Sequence, residues 1–282
     1  MESKIKLFLN KLEELQEKKE IQILYRGISK KDAFGVFKID LEDYKIEQFS
    51  QKLFFYGSKS VYFIRDKYKR DFDIHDISTE IFEFIFLEFH ALKKVKNQRT
   101  KEFISKNQKI FEFFFDKKNK QDFINNVLAQ KEDNIIITRN YLLSILHQIG
   151  NFTRYKKKSH FLSSSSREEV AKQFSDDDLI IKFWKPVFNK TEYKGIYCFD
   201  SFVYPEQEEY SVFSAIFPHY IFSFTFKGKE YFNPYINTCS FIDYCIYFGF
   251  DINQDNFIPK LYSETIHTRG VQQDSSGKMR EI

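Results

Sequence analysis

A chain of 282 residues with 42% apolar content is long enough for one large core or two modest ones, and 44 basic against 40 acidic residues leave a net charge of +4, too near balance for a general attraction to nucleic acid. No twenty-residue apolar span is present, and the opening MESKIKLFLNKLEELQEKK lacks the apolar block and cleavage site of a secretory leader, so the expectation is a cytoplasmic protein with no membrane span. Cys198, Cys239 and Cys245 are odd in number and lack C-x-x-C spacing, which argues against a disulfide framework and a thiolate metal cage.

In chain order, residues 4–18 place Ile5, Phe8, Leu12 and Leu15 on one face and predict an amphipathic helix. Residues 21–25 are apolar and β-branched and run into Arg26-Gly27, a short buried strand ending at a glycine. Residues 34–39 and 52–63 read as further short strands or a hairpin. From 77 to 94 the pattern turns helical, with Ile81, Phe84, Ile85, Glu88, Phe89 and Leu92 recurring at three and four. Helices are expected at 101–115, 121–130 and 138–148, the last with Tyr141, Leu142, Ile145 and Leu146 inward and Gly150 as its cap. Beyond 150 the texture changes to short apolar or alternating runs at 179–184, 194–199, 210–215, 219–226 and 230–235, which read as strands. Lys227-Gly228-Lys229 marks a hairpin turn. Residues 241–250 suit a buried helix or strand, and 272–282 a polar, frayed tail.

Three stretches carry chemistry. In HFLSSSSREEVAKQF, from His160 to Phe174, an apolar step precedes four serines and a short helix with Val170, Ala171 and Phe174 on one face. Ser165 with Glu168, or Ser166 with Glu169, makes a capping box; the other hydroxyls stand ahead of the cap on a strand end. Tyr25-Arg26-Gly27 offers a guanidinium for paired hydrogen bonds to a pyrophosphate or carboxylate, with Gly27 admitting close backbone approach. Pro205-Glu206-Gln207-Glu208-Glu209 is an acidic knot leading into a strand, where a carboxylate is held in place.

In order and spacing these residues resemble the arginine-serine-glutamate class of ADP-ribosyltransferases. In that class an arginine closes the first core strand, a serine-x-serine step precedes a helix, and a glutamate or glutamine stands two before a catalytic glutamate at a strand start. The resemblance implies a split antiparallel β-sheet core of ADP-ribosyltransferase type in an α+β fold, with NAD as substrate. It implies that Arg26, with Gly27, holds the phosphates or nicotinamide-side ribose. Ser163 braces the catalytic carboxylate and seats the ribose, supported by Ser165. Glu209 opposes the positive charge that builds on the sugar as nicotinamide leaves, and Gln207 addresses the incoming nucleophile. A second acidic register, Glu206-x-Glu208, stays open. The interval between Arg26 and Ser163 exceeds that of compact members, so the resemblance implies that much of the helical middle is an insertion or an unusual lobe. A looser likeness to the FRG domain runs through His147-Gln148-Ile149-Gly150-Asn151-Phe152-Thr153-Arg154 together with Tyr25-Arg26-Gly27; it implies the same kind of core without necessarily the same chemistry.

The expectation is therefore an N-terminal helix over 1–20, an ADP-ribosyltransferase-like domain over 21–265 with a helical insertion at about 75–150, and a polar tail over 266–282. The expected activity is mono-ADP-ribosyl transfer from NAD to a protein or nucleic-acid acceptor, in a toxin, effector or defence protein. An NAD glycohydrolase and a non-catalytic FRG-like recognition domain are the alternatives. No metal is called for: His75, His90, His147, His160, His219 and His267 have no ligand-spaced partner. No G-x-S-x-G marks a serine hydrolase. Lys156-Lys157-Lys158 reads as a solvated turn or a basic patch for an anionic partner.

Overall fold

The computed structural model describes residues 4–40, 45–54, 63–64, 76–149, 153–155, 159, 161–186, 204–213, 215–216, 220–237, 271–273 and 279–281. The predicted elements at 194–199 and 241–250, the three cysteines, and Lys156 to Lys158 lie outside them.

Helix α1 (Lys4–Glu17) buries Phe8, Leu12 and Leu15 along one stripe, and strand β1 (Ile21–Gly27) follows after a short turn. The expected strand at 34–39 is instead the end of helix α2 (Lys30–Phe37). Ser29 starts that helix by accepting the Asp32 amide, and Lys38 stops it in the left-handed region at φ 56. Ala33 and Phe37, four apart, enter the core. Likewise the beginning of the expected strand at 52–63 belongs to α3 (Ile46–Phe54), which buries Ile46, Phe49, Leu53 and Phe54 at helical spacing. Strand β2 (Phe63–Ile64) is all of that stretch that is extended among the described residues.

Helix α4 (Thr79–Ala91) matches the periodic run at 77–94 and ends in a 3-10 turn. The single helix expected over 101–115 is two, α5 (Gln98–Lys106) and α6 (Gln108–Phe115). Asn107 makes the break: its amides donate to Phe103 and Ile104 carbonyls, while its own carbonyl accepts from Ile110 and Phe111. Helix α7 (Lys120–Leu128) precedes α8 (Glu132–Gln148), which starts earlier than expected with Glu132 and Asp133 favourably placed in its first turn. Tyr141, expected inward, is exposed; Arg139, Asn140 and Ser144 are buried instead.

Strand β3 (Phe161–Ser165), helix α9 (Glu168–Lys172) and strands β4 (Ile180–Pro186), β5 (Glu209–Phe213), β6 (Ala215–Ile216), β7 (Ile221–Phe226) and β8 (Lys229–Phe232) complete the main body. Lys227 and Gly228, both at positive φ, form the tight turn between β7 and β8. The tail is not frayed throughout: β9 (Val271–Gln273) pairs with β10 (Met279–Glu281).

The fold is α+β, with an open antiparallel six-stranded sheet in the order β5-β3-β1-β4-β7-β8. Its pairing is uneven. Strand β1 matches β4 over seven residues and β3 matches β5 over five, but β1 meets β3 at one position, Tyr25 opposite Ser165. The sheet is thus nearly divided along that seam. One core lies between the sheet and α1 to α3, where Phe49 meets Phe37 and Phe224 edge-on at 5.1 Å each. The second fills the helical lobe α4 to α8 around the Phe89–Phe114 stack. Strand β3 serves both: Leu162 enters the first core and Phe161 the second, as successive side chains of a strand must.

Candidate functional site

At the seam between β1 and β3 opens a cleft of about 580 Å³, and Arg26, Gly27, Ser163, Ser165, Gln207 and Glu209 all line it. These six residues are thus brought to one place, from three separated stretches of chain. Glu206 and Glu208 do not line it. Glu206 is exposed and pairs with Arg99 at 2.5 Å, and Glu208 turns outward to Ser166. Of the two acidic registers, the one placed in the cleft is Gln207-x-Glu209.

Arg26 sits on β1 and reaches across the seam, its Nη1 donating to the Ser163 carbonyl. Glu209 begins β5 opposite Ser165, and its side chain is largely buried. What turns it inward is Glu208, held at φ 43, a left-handed conformation that a non-glycine residue keeps only when its surroundings enforce it. The enforcement comes from the serine run. Ser165 Oγ donates to the Gln207 carbonyl at 2.7 Å, the Ser166 amide donates to the Glu208 carbonyl at 3.3 Å, and the Ser166 hydroxyl bonds the Glu208 carboxylate.

One expectation about these residues is corrected, and the surroundings of the others are defined. Neither capping box forms: α9 begins after Arg167 without a side-chain cap, Ser165 Oγ instead accepting the Arg167 amide and holding the turn at 207. Ser163 and Glu209 lie on adjacent hydrogen-bonded strands, Ser163 opposite Ser211 and Glu209 opposite Ser165, so side-chain alternation puts them on the same face. And Gly27 admits protein backbone: a Cβ there would stand 1.9 Å from the Ala171 carbonyl oxygen of α9. That packing requires glycine whatever the cleft holds.

Sequence reading did not assign Asn97 or Tyr204 to the cleft they line, nor His147, from the last turn of α8, to its place behind the cleft wall. Its Nε2 lies 2.9 Å from Ser163 Oγ and 3.6 Å from Glu209 Oε1, and its Nδ1 2.7 Å from Ser159 Oγ. Beside it, Gln148 donates to Ser211 Oγ at 3.2 Å. The helical lobe therefore braces the sheet wall that carries Ser163 and Glu209. The FRG-like stretch supplied the one signal that pointed to His147. Elsewhere in that stretch, Thr153 donates to the Leu146 carbonyl, and Arg154 is tied through its amide and Nε to the buried carboxylate of Glu88. Those contacts fix the loop after α8 rather than line the cleft.

Two tyrosines line the cleft, and both resist ionisation. Burial raises the Tyr25 hydroxyl above its usual 10.0, with Glu168 adding to the effect. Burial also raises Tyr204, where the carboxylates of Glu209 and Glu206 oppose a phenolate while Arg99 favours one. The cleft thus combines a cation on β1, a carboxylate on β5, neutral hydroxyls between them, and an exposed aromatic, Phe174, among its lining residues. Among the described residues no group of three His, Cys, Asp or Glu could hold a metal ion, and no helix is long and apolar enough to cross a membrane. Comparison with protein-family models, curated proteins and solved structures finds no match.

Proposed function

We propose that the protein cleaves NAD at its nicotinamide–ribose bond and transfers the ADP-ribosyl group to a macromolecular acceptor. The observation that carries this reading is the convergence of Arg26, Ser163 and Glu209 on one cleft of about 580 Å³, a size suited to a small-molecule cofactor or substrate. The bond from ribose C1′ to nicotinamide breaks with its electron pair leaving on nicotinamide, and positive charge gathers on the sugar. A held, largely buried carboxylate opposes that charge more strongly than it would in water, and needs no reorganisation at the moment of reaction. Arg26 is suited to hold the diphosphate by directed hydrogen bonds. The acceptor's lone pair then closes on C1′ and its proton is lost, with Gln207 at the cleft wall to orient it. Water in the acceptor's place gives NAD hydrolysis.

The 2.9 Å approach of His147 Nε2 to Ser163 Oγ favours one competing reading, a nucleophilic serine with a histidine base. Incubation of the full chain with NAD carrying a label on the adenylate half, together with cell extract, separates the readings. Labelled macromolecule with free nicotinamide supports transfer. Nicotinamide with no labelled macromolecule reduces the activity to hydrolysis. Unchanged NAD refutes the proposal and leaves a serine hydrolase or a recognition domain.

A further inference from the structure

We infer that His147 is a positioning residue held with its proton on Nε2, which makes the Ser163 hydroxyl a hydrogen-bond donor into the cleft and not a nucleophile. The part concerning what Ser163 meets there rests on the NAD reading; the part concerning the proton on His147 does not.

Ser159 sets the direction of the hydrogen bonds. Its side chain is buried at 1% exposure, and its Oγ accepts the Phe161 amide at 3.0 Å and lies 2.7 Å from His147 Nδ1. A buried hydroxyl must also place its own proton. Among the described residues Nδ1 is the one acceptor within its reach. Nδ1 therefore accepts, and the proton of the neutral imidazole sits on Nε2. That N–H points at Ser163 Oγ, 2.9 Å away, with Glu209 Oε1 at 3.6 Å. The Phe161 ring, with its centre 5.8 Å from that of the imidazole, packs beside it.

Directions now follow along the chain of groups. The Phe161 amide donates to Ser159, Ser159 to His147, and His147 to Ser163. Ser163 Oγ, having accepted, has its own proton to give, and Ser163 lines the cleft. A serine nucleophile needs the reverse arrangement, with a lone pair on Nε2 to take its proton. Glu209 Oε1 lies 3.6 Å from the same nitrogen, so the imidazole stands between the Ser163 hydroxyl and the carboxylate. On the NAD reading, the Ser163 proton meets an acceptor oxygen of the nicotinamide-side ribose, which orients the sugar against Glu209.

Two measurements test this. In ¹⁵N NMR of the full chain, the histidine signal that disappears in His147→Gln is expected to show the Nε2–H pattern in the wild type and a tautomer mixture in Ser159→Ala. A wild-type proton on Nδ1 overturns the inference whatever the activity. In nicotinamide-release kinetics, His147→Leu is expected to lower kcat about 10- to 100-fold with KM little changed. His147→Gln, whose amide keeps a donor near the same place, is expected to recover most of that loss. Equal loss in both variants overturns the positioning role, as does labelling of Ser163 by a fluorophosphonate. If the wild type releases no nicotinamide, the NAD reading fails, and the tautomer claim is still decided by the spectra.

Discussion

Glu209 and Glu208 are neighbours in sequence with opposite surroundings, one largely buried in the cleft wall and one turned out at positive φ. That difference predicts opposite consequences for the same substitution. Glu209→Gln keeps the side chain's size but removes its charge, and is expected to reduce nicotinamide release by about 100- to 1000-fold with folding retained. Glu208→Gln is expected to stay near wild type in the same assay. A second prediction at this scale concerns the raised hydroxyls of Tyr25 and Tyr204. The fold favours their neutral form, so their contribution to stability is complete below pH 10 and is lost as pH climbs through their raised folded values. Ultraviolet titration of the native protein is expected to show a class of tyrosines ionising above the exposed ones, which merges with them in denaturant. Arg26, Ser163 and Glu209 were legible in the sequence because each is a polar residue set against a strand pattern. His147 was not, since its meaning depends on Ser159 and Ser163, and no periodicity links a helix end to a strand that follows a loop.

The elements most readily read from the sequence were those whose apolar residues alone determine the type: α1, α4, β4 and β7. Helices α2 and α3 were misread because they are short. The ends of α2 are set by local side-chain and backbone geometry at Ser29 and Lys38, which a window of hydrophobicity does not register. The serine run was read half correctly: it does precede a helix, but Ser165 and Ser166 fasten the turn at 207–208 and not a capping box. That fastening could not be foreseen, because it joins strand β3 to a turn far along the chain. Helix α9 is held against β1 by the close approach at Gly27. Gly27→Ala would force a Cβ onto the Ala171 carbonyl, where backbone rather than a flexible side chain must give way. The expected cost is about 1–3 kcal/mol, read as a lowered urea midpoint with unchanged slope. An unaltered midpoint would show that α9 shifts freely and that the approach is not a constraint.

For the whole molecule, two cores share strand β3, and the cleft lies where the sheet is joined by one residue pair. A ligand bound there touches both sides of the seam, so it should stabilise the entire fold and not a local patch. With Glu209→Gln used to prevent turnover, NAD at 100 times its Kd is expected to add about 2.7 kcal/mol, seen as a raised Tm. Absence of any shift at saturating NAD would count against the cleft as its site. The change from a helical to a strand-rich stretch was legible from the change of pattern near residue 150, whereas the seam was not, because strand order depends on pairings that composition does not encode. The seam also changes what the two charged residues can reveal about relatives of this protein. Arg26 bonds the Ser163 carbonyl from across the seam, so selection for the scaffold alone would preserve it whatever the cleft does. Glu209 has its carboxylate in the cleft wall, where a neutral residue of like shape would let the fold persist. On the NAD reading, a relative that keeps the arginine and replaces the glutamate would bind without turnover, and the arginine by itself would be no witness to catalysis.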